Sequence, residues 1–342
     1  MMAREVKSEG ANEADLEQVR KVVDAYPAAK ANLALLGDKR FLFNETRSSF
    51  VMYGVQGRRW IALGDPIGPP EEAPALIRRF YEVCVGHGAR PVFYETHSEN
   101  LPVYEELGLY PLEIAEEGRV PLESFSLIGS EQRNLRNAVR KAEKEGCAFE
   151  RVPAAGVPAL LPDLRVVSDA WLASKDAREK EFSVGRFDEE YLKNFSLGVV
   201  RQNGKIVAYV SVWAGSFGEE LYLDLMRSLA DVPRGTMDLL FVRLMQRAQE
   251  EGYAWFNLGM SPLSSLVDEP QGSLWARVRA HLLLRQAEKF YNIQGLRQYK
   301  EKFDPQWRTR YLLATPGALG LARALLDVAA LTSGGLRWVL AK

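Results

Sequence analysis

The sequence predicts a mixed α/β fold made of two similar α+β modules in tandem, joined by a basic helix. Three observations predict it. Strand-like and helix-like segments follow in the same order twice, as a meander, a strand, an amphipathic helix and a further strand. Gly and Asn-Gly turn signals separate them. The length of 342 residues is long for one core and comfortable for two. The expected units are residues 16–129, a basic connecting helix over 130–147, a second module over 148–315, and an amphipathic helix over 316–342. The polar start, residues 1–15, is expected to fray.

In the first module, FLFNETRSSFVMYGVQGRRWIALGDPIG reads as two or three strands with turns at Gly54–Gly57 and Gly64–Gly68. EEAPALIRRFYEVCVGHG is an amphipathic helix ending at Gly86–Gly88. ARPVFYETH is a strand, ENLPVYEELG a short helix closed by Gly108, and LYPLEIAEEGRVPL another strand. In the second module, SLGVVRQNGKIVAYVSVWAG is a hairpin turning at Asn203–Gly204, and EELYLDLMRS is a strand. GTMDLLFVRLMQRAQEEG is a helix with Thr236 as expected N-cap and Gly252 past its end. YAWFNLGM is a strand, and LWARVRAHLLLRQAEKF a helix. The terminal helix has an apolar face at Leu321, Leu325 and Leu331, broken by Arg323 and Asp327. It is expected to pack on the body.

Between the modules, SEQRNLRNAVRKAEKEG puts Leu135, Val139 and Ala142 on one helical face. Arg133, Arg136, Arg140 and Lys144 fall on another, with Ser130 able to cap. Such a cationic face is either solvated or laid against a polyanion. The net charge of −1 excludes a generally polycationic chain, so anion binding must be local. The two cysteines, Cys84 and Cys147, argue for a reduced compartment without a disulfide framework. Three histidines and no tight Cys/His cluster make a zinc site unexpected. No apolar run is long enough for a transmembrane helix.

Chemistry is expected first in LYLDLMR. On a covered strand Asp224 is an interior carboxylate, which is expensive unless paired. Arg227 is the nearest candidate partner, but regular alternation points it to the opposite face unless the strand bulges or ends there. In KEFSVGRFDEEYL, Glu181 and Ser183 can line a polar pocket or serve as caps. FYNIQGLRQYKEKFDPQWRTRYLL combines Arg297, Lys300, Lys302, Arg308 and Arg310 with Tyr299, Phe303 and Trp307. Cations beside aromatic faces suit phosphates and stacked bases. The aromatics recur every fourth residue, as in a helical core stripe, but Pro305 stops a helix there. MRSLADVPRG lacks the glycine-rich loop of an acetyl-coenzyme A enzyme.

With the motifs FSVGRFDEEYL, YLDLMR, GTMDLLFVRLM, WFNLGMSPLS and FYNIQGLRQYKEKFDPQWRTRYLL, in that order, the chain resembles the C-terminal catalytic domain of the bacterial multiple peptide resistance factors, the aminoacyl-phosphatidylglycerol synthases. The likeness runs from about Asp24 to Leu313 and is nearer the alanyl than the lysyl enzyme. The resemblance implies two tandem Gcn5-related N-acetyltransferase-like folds. It also implies an N-terminal membrane region outside this chain and work at the cytoplasmic face of the inner membrane. The implied reaction carries an amino acid from aminoacyl-tRNA to the glycerol hydroxyl of phosphatidylglycerol, giving resistance to cationic peptides. One ester is exchanged for another, so no cofactor or metal is expected.

The implied roles are Asp224 as countercharge for the α-ammonium group, and Arg227 and Lys300 on phosphate or oxyanion. Glu181, Ser183, Tyr299, Arg308 and Arg310 would bind substrate. Arg133, Arg136, Arg140 and Lys144 would bind the tRNA acceptor stem. No histidine falls in these motifs, so no dedicated base is evident, and a ribose hydroxyl could relay the proton. Two other readings stand beside this one: a transferase from aminoacyl-tRNA to a peptidoglycan precursor, and a non-catalytic RNA-binding module.

Overall fold

The computed structural model describes residues 12–26, 28–262 and 293–335. The frayed start and the helix expected over 274–290 lie outside the described residues, apart from Asn12–Asp15, where Asn12 caps the first helix. In chain order the elements are α1 (Glu13–Ala25), a 3-10 segment (Ala29–Leu36), β1 (Arg40–Phe43), β2 (Phe50–Gln56), β3 (Arg59–Leu63), α2 (Ala73–Gly86), β4 (Arg90–Thr96), α3 (Leu101–Glu106) and β5 (Tyr110–Pro121). Then come α4 (Arg133–Lys144), β6 (Cys147–Val152), α5 (Leu161–Ser174), α6 (Glu189–Leu192), β7 (Ser196–Gln202), β8 (Lys205–Ala214), β9 (Glu220–Ser228) and α7 (Thr236–Glu250). The chain continues through β10 (Trp255–Pro262), α8 (Ile293–Glu301), β11 (Gln306–Ala314) and α9 (Ala318–Thr332).

The described strands form one mixed sheet in the order β1-β2-β3-β4-β11-β5-β10-β9-β8-β7-β6. The two halves expected from the sequence therefore share a sheet. β11, assigned by sequence to the second module, lies between β4 and β5 of the first. It pairs antiparallel with β5 from Gln306↔Arg119 to Ala314↔Tyr110. A strand's own residues reveal its two faces but not its neighbours, so this exchange was invisible to periodicity.

The hairpin at Asn203–Gly204 has both residues at positive φ, as a type I′ turn requires. Gly54 is not in a turn. It lies inside β2, where a side chain would stand 2.9 Å from Leu331.

Parallel strands β9 and β10 pair only over Glu220–Tyr222 against Trp255–Asn257. Beyond that point no pairing joins them, while β10 shifts register against β5 between Asn257 and Met260. Helix α7 covers one face of the second half with Leu239, Leu240 and Leu244, and packs on Val210, Val212 and Leu223. Helix α5 covers the other with Leu161, Leu164 and Val167, against Tyr209 and Leu225. In the middle of the sheet, α1, the 3-10 segment and α9 bury Val19, Leu33 and Val328 with Trp213 and Tyr222. The terminal helix thus packs on the body as its apolar face predicted.

Helix α4 starts at Arg133 behind Gln132, without a side-chain cap from Ser130, and buries Leu135, Val139 and Ala142. It is shorter than the expected 130–147. Its neighbour α7 is capped by Gly235, with Thr236 as the first helical residue; the Thr236 hydroxyl donates to the Pro233 carbonyl at 2.7 Å. Gly235 has φ +93°, and a Cβ there would stand 2.3 Å from the Ala138 carbonyl oxygen. Only glycine permits both the conformation and the approach. Gly235→Ala is expected to destabilise the protein by about 2–3 kcal/mol, through left-handed strain and separation of α4 from α7. Denaturant unfolding should show a lower midpoint at unchanged slope.

Candidate functional site

The site begins at an irregularity in β9. The β8 pairings Val210↔Met226 and Val212↔Leu223 leave one extra residue on β9. This bulge lets Asp224 and Leu225 follow Leu223 on the opposite face. Leu223 belongs to the α7-side core and Leu225 to the α5-side core, which strict alternation would forbid. The Leu225 amide donates to the Ser211 hydroxyl at 3.1 Å.

Asp224 Oδ2 accepts from Ser211 Oγ at 3.1 Å and from Tyr191 Oη at 3.2 Å. Trp213 Nε1 donates in turn to Tyr191 Oη at 3.0 Å. Burial raises the Asp224 carboxyl to about 6, against the hydrogen bonds from Ser211, Tyr191 and the amides of Leu225 and Gly185. Gly185 matters by what it lacks. A Cβ there would stand 2.1 Å from Asp224 Oδ1. The segment FSVGRF therefore reaches Asp224 through a glycine backbone. Glu181 and Ser183 lie at the end of α9 instead: the Glu181 carboxylate stands beside Gly334, and the Ser183 hydroxyl lies 3.4 Å from that of Thr332.

Arg227 is not the partner of Asp224. Its guanidinium donates to Glu179 at 2.9 Å and to the Met226 carbonyl at 3.1 Å, and lies 4.1 Å over the Trp171 ring. The bulge that the pairing required is present, but Glu179 and α5 occupy the cation.

Glu220, Tyr222 and Asp224 succeed one another on one face of β9. Beside the first two is a cavity of about 320 Å³, whose walls include Lys30, His97, Glu117, Arg308 and Arg310. Arg310 is buried and bridges Glu117 and His97 Nε2. Burial alone would raise the Glu117 carboxyl, but Arg310 and Lys30 outweigh it and hold it at about 2. Lys30, paired with Glu95, is lowered to about 7, by burial first and by Arg310 second; Glu117 and Asp224 oppose the shift. Glu95 itself sits at φ +67°, an uncommon conformation for a residue with a side chain. Arg308 is exposed at the rim and makes no ion pair among the described residues.

Lys300 is buried, and its Nζ donates to the carbonyls of Gly259 at 2.9 Å and Met260 at 2.7 Å. Burial lowers it to about 7. The predicted anion holder is thus a staple across the irregular part of β10, where Gly259 has φ +75°. Tyr299 does not reach the cavity. It packs edge-on against Phe241 and Phe303, while Phe303 stacks on Phe241 at 5.6 Å. Trp307 is not on their helix. The chain leaves α8, turns at Asp304 with φ +50°, and places Trp307 on β11 under the Arg297 guanidinium at 3.7 Å.

On α4, Arg133, Arg140 and Lys144 are exposed. Arg136 is not free: it donates to the carbonyls of Leu127 and Gly129. Sequence reasoning missed Lys30, His97, Glu117 and Tyr222. His97, Glu117 and Tyr222 lie at the end of or within segments read only as strands, and Lys30 lies in a stretch that carried no motif; the pairing of β11 with β4 and β5 brings His97 and Glu117 to Arg310. Among the described residues no His, Cys, Asp or Glu cluster could hold a metal ion, and no helix is long and apolar enough to cross a membrane.

A family model described as "Phosphatidylglycerol lysyltransferase, C-terminal" matches residues 20–314. Phosphatidylglycerol lysyltransferase of Bacillus subtilis is 35% identical over 285 residues, which is 83% of this chain and 33% of that protein. The Staphylococcus aureus enzyme of the same name is 32% identical over 305 residues, 87% of this chain and 36% of that protein. The chain therefore spans about a third of the length of these relatives. Among solved structures, a C-terminal DUF2156 domain from Agrobacterium fabrum is 40% identical with a TM-score of 0.87, covering 96% of this chain and all (100%) of that one. L-PGS from Bacillus licheniformis is 31% identical with a TM-score of 0.86, covering 97% and 100%. FemX, 11% identical with a TM-score of 0.57 over 93% of this chain and 100% of its own, shares the fold. By the extent of the family match and the identity to its relatives, the chain belongs to the phosphatidylglycerol lysyltransferase C-terminal domain family.

Proposed function

We propose that this chain is the catalytic part of an aminoacyltransferase that carries an amino acid from aminoacyl-tRNA to the glycerol hydroxyl of phosphatidylglycerol. One observation carries the reading beyond family membership. A half-buried carboxylate, Asp224, stands one step along β9 from a cavity with Lys30, Arg308 and Arg310 in its walls. The two substrates need that division of charge: an α-ammonium group on the donor and a phosphodiester on the acceptor. Asp224 would fix the ammonium group, and Arg308 at the rim would meet the phosphate. The exchange of one ester for another needs no energy source or redox group, and orientation would supply most of the rate.

The likeness read in the sequence favours alanine as the amino acid. The names of the Bacillus and Staphylococcus relatives favour lysine. The tandem acetyltransferase-like description of the fold belongs to this reading too, amended by the exchange of β11. So does a place at the cytoplasmic face of the inner membrane, with a membrane-embedded region in the full-length protein.

The test is transfer of label from alanyl- or lysyl-tRNA into phosphatidylglycerol vesicles, followed by lipid extraction. Label in the lipid supports the reading and names the amino acid; its absence with both donors overturns it. The exposed cations of α4 are proposed to hold the acceptor stem. Replacing Arg133, Arg140 and Lys144 together by Ala should weaken tRNA binding and reduce the slope of log K against log salt by about 2–3. An unchanged slope would remove α4 from the tRNA path.

A further inference from the structure

Histidine enters the site from the end of β4. His97 follows Thr96, and its backbone amide donates to Asp65 Oδ2 at 2.8 Å. Its ring nitrogen Nδ1 lies 3.1 Å from the same oxygen. The other Asp65 oxygen accepts from Asn100 Nδ2 at 3.0 Å and Tyr104 Oη at 2.9 Å. Burial would raise the Asp65 carboxyl, yet the bonds from His97 and Asn100 outweigh it and hold it below its ordinary value. Asp65 is thus an ionised, fully engaged acceptor, and Nδ1 must carry the proton it shares.

The other ring nitrogen confirms the tautomer. Nε2 faces Arg310, whose guanidinium has donors only. Nε2 must therefore be the acceptor, with its lone pair directed at a wall of the cavity. The ring is 39% exposed, so a ligand in the cavity can reach it. Lys30 lines the same space, but Glu95 holds its ammonium group. Around His97 stand Asp65 from the segment after β3, Arg310 from β11 and Glu117 from β5. Asp65 orients the ring, while Glu117 accepts from Arg310 Nη2 and His97 Nε2 faces Arg310 Nη1.

We propose that His97, oriented by Asp65, is the general base for the acceptor hydroxyl. This rests on the transferase reading above. The hydroxyl takes the place of the Arg310 donor at Nε2 and gives its proton to that nitrogen as its oxygen bonds to the aminoacyl carbonyl carbon. The carbonyl oxygen takes up the displaced electron pair. When the tetrahedral adduct collapses, the bond to the ribose oxygen breaks. The Nε2 proton passes to that leaving oxygen, and His97 returns to its starting tautomer. Asp65 is a positioning residue, acting only through the ring.

The experiment measures aminoacyl transfer to phosphatidylglycerol vesicles by wild type, His97→Ala, His97→Gln, Asp65→Asn and the His97→Ala/Asp65→Asn double variant, with melting temperatures alongside. His97→Ala should lower kcat by about 10²–10⁴-fold. His97→Gln, which keeps polar contacts but cannot take a proton in this role, should lose as much. Added imidazole should restore part of the rate to His97→Ala and none to His97→Gln. Asp65→Asn should be slow alone and add nothing on top of His97→Ala, because orienting an absent base has no value. Wild-type rates in both His97 variants would overturn the proposal. So would losses without imidazole rescue that multiply with Asp65→Asn, since that pattern marks a structural role. If wild type itself transfers nothing from either donor, the transferase reading falls and the base falls with it; if wild type transfers and the variants do also, only the base falls.

Discussion

Asp224→Asn is expected to lower kcat/KM for aminoacyl transfer by about 30-fold to several thousand-fold, the effect of removing one partner from a desolvated charge pair worth about 2–5 kcal/mol. The same change should leave the fold intact or stabilise it. The folded-state carboxyl is raised from 3.8 to about 6, so between those values the unfolded chain loses its proton first. Stability from this group is then full below about pH 4 and falls as pH rises towards 6. At neutral pH the ionised site costs the fold up to about 3 kcal/mol. Asn removes the charge and can still accept from Ser211 and Tyr191, but its amide must face the Gly185 backbone donor. A net gain of about 1 kcal/mol at pH 7, vanishing below pH 4, is the expected result. Calorimetry across pH 3.5–7.5 together with the lipid-labelling assay checks both halves. A variant with undiminished transfer would remove Asp224 from the site.

Lys300→Ala carries the largest expected loss of stability, about 3–5 kcal/mol, because it leaves the carbonyls of Gly259 and Met260 buried without a donor and opens the space of the lysine stem. Transfer should fall as well, since Gly259 and Met260 lie on the strand beside Tyr222. The pH dependence identifies the cause. Lys300 is lowered from 10.5 to about 7, so between those values the unfolded chain binds the proton and the folded protein does not. Stability from this group therefore rises as pH increases from about 7 towards 10. Lys300→Ala should lose that rise together with the stability. A variant that binds vesicles poorly but melts like wild type would restore the anion-binding role expected from the sequence.

The strand–helix grammar was legible residue by residue, because burial imposes its period on the side chains. The Asn203–Gly204 hairpin, α7 and the apolar face of α4 show this. Asp224 was legible for the same reason: a lone carboxylate inside an apolar strand has to be accounted for. Its surroundings were not. The bulge that turns Leu225 over adds a residue to β9 relative to β8, and an offset between two strands leaves no mark in either. Arg227 could be expected to meet Asp224 only because its actual partner, Glu179, sits in a loop with no periodicity. Lys300 looked like a free cation since the carbonyls that hold it are backbone atoms common to every sequence. His97, Glu117 and Arg310 stand far apart in the chain, and only the pairing of β11 with β4 and β5 brings them to one wall.

That exchanged strand also sets a timetable for folding. β5 has β10 and β11 as its two neighbours, and both are made long after it. At about 5–20 residues per second, β5 waits on the order of 7–30 s for β10 and 10–40 s for β11. Pairings such as Tyr311↔Thr96 join residues 215 apart in sequence, a topology that slows folding. The nascent first half is accordingly a species with an open, aggregation-prone sheet edge. A chain cut between the halves would leave the first without β11 and the second without β5, so the centre of the sheet closes only once β11 has been made.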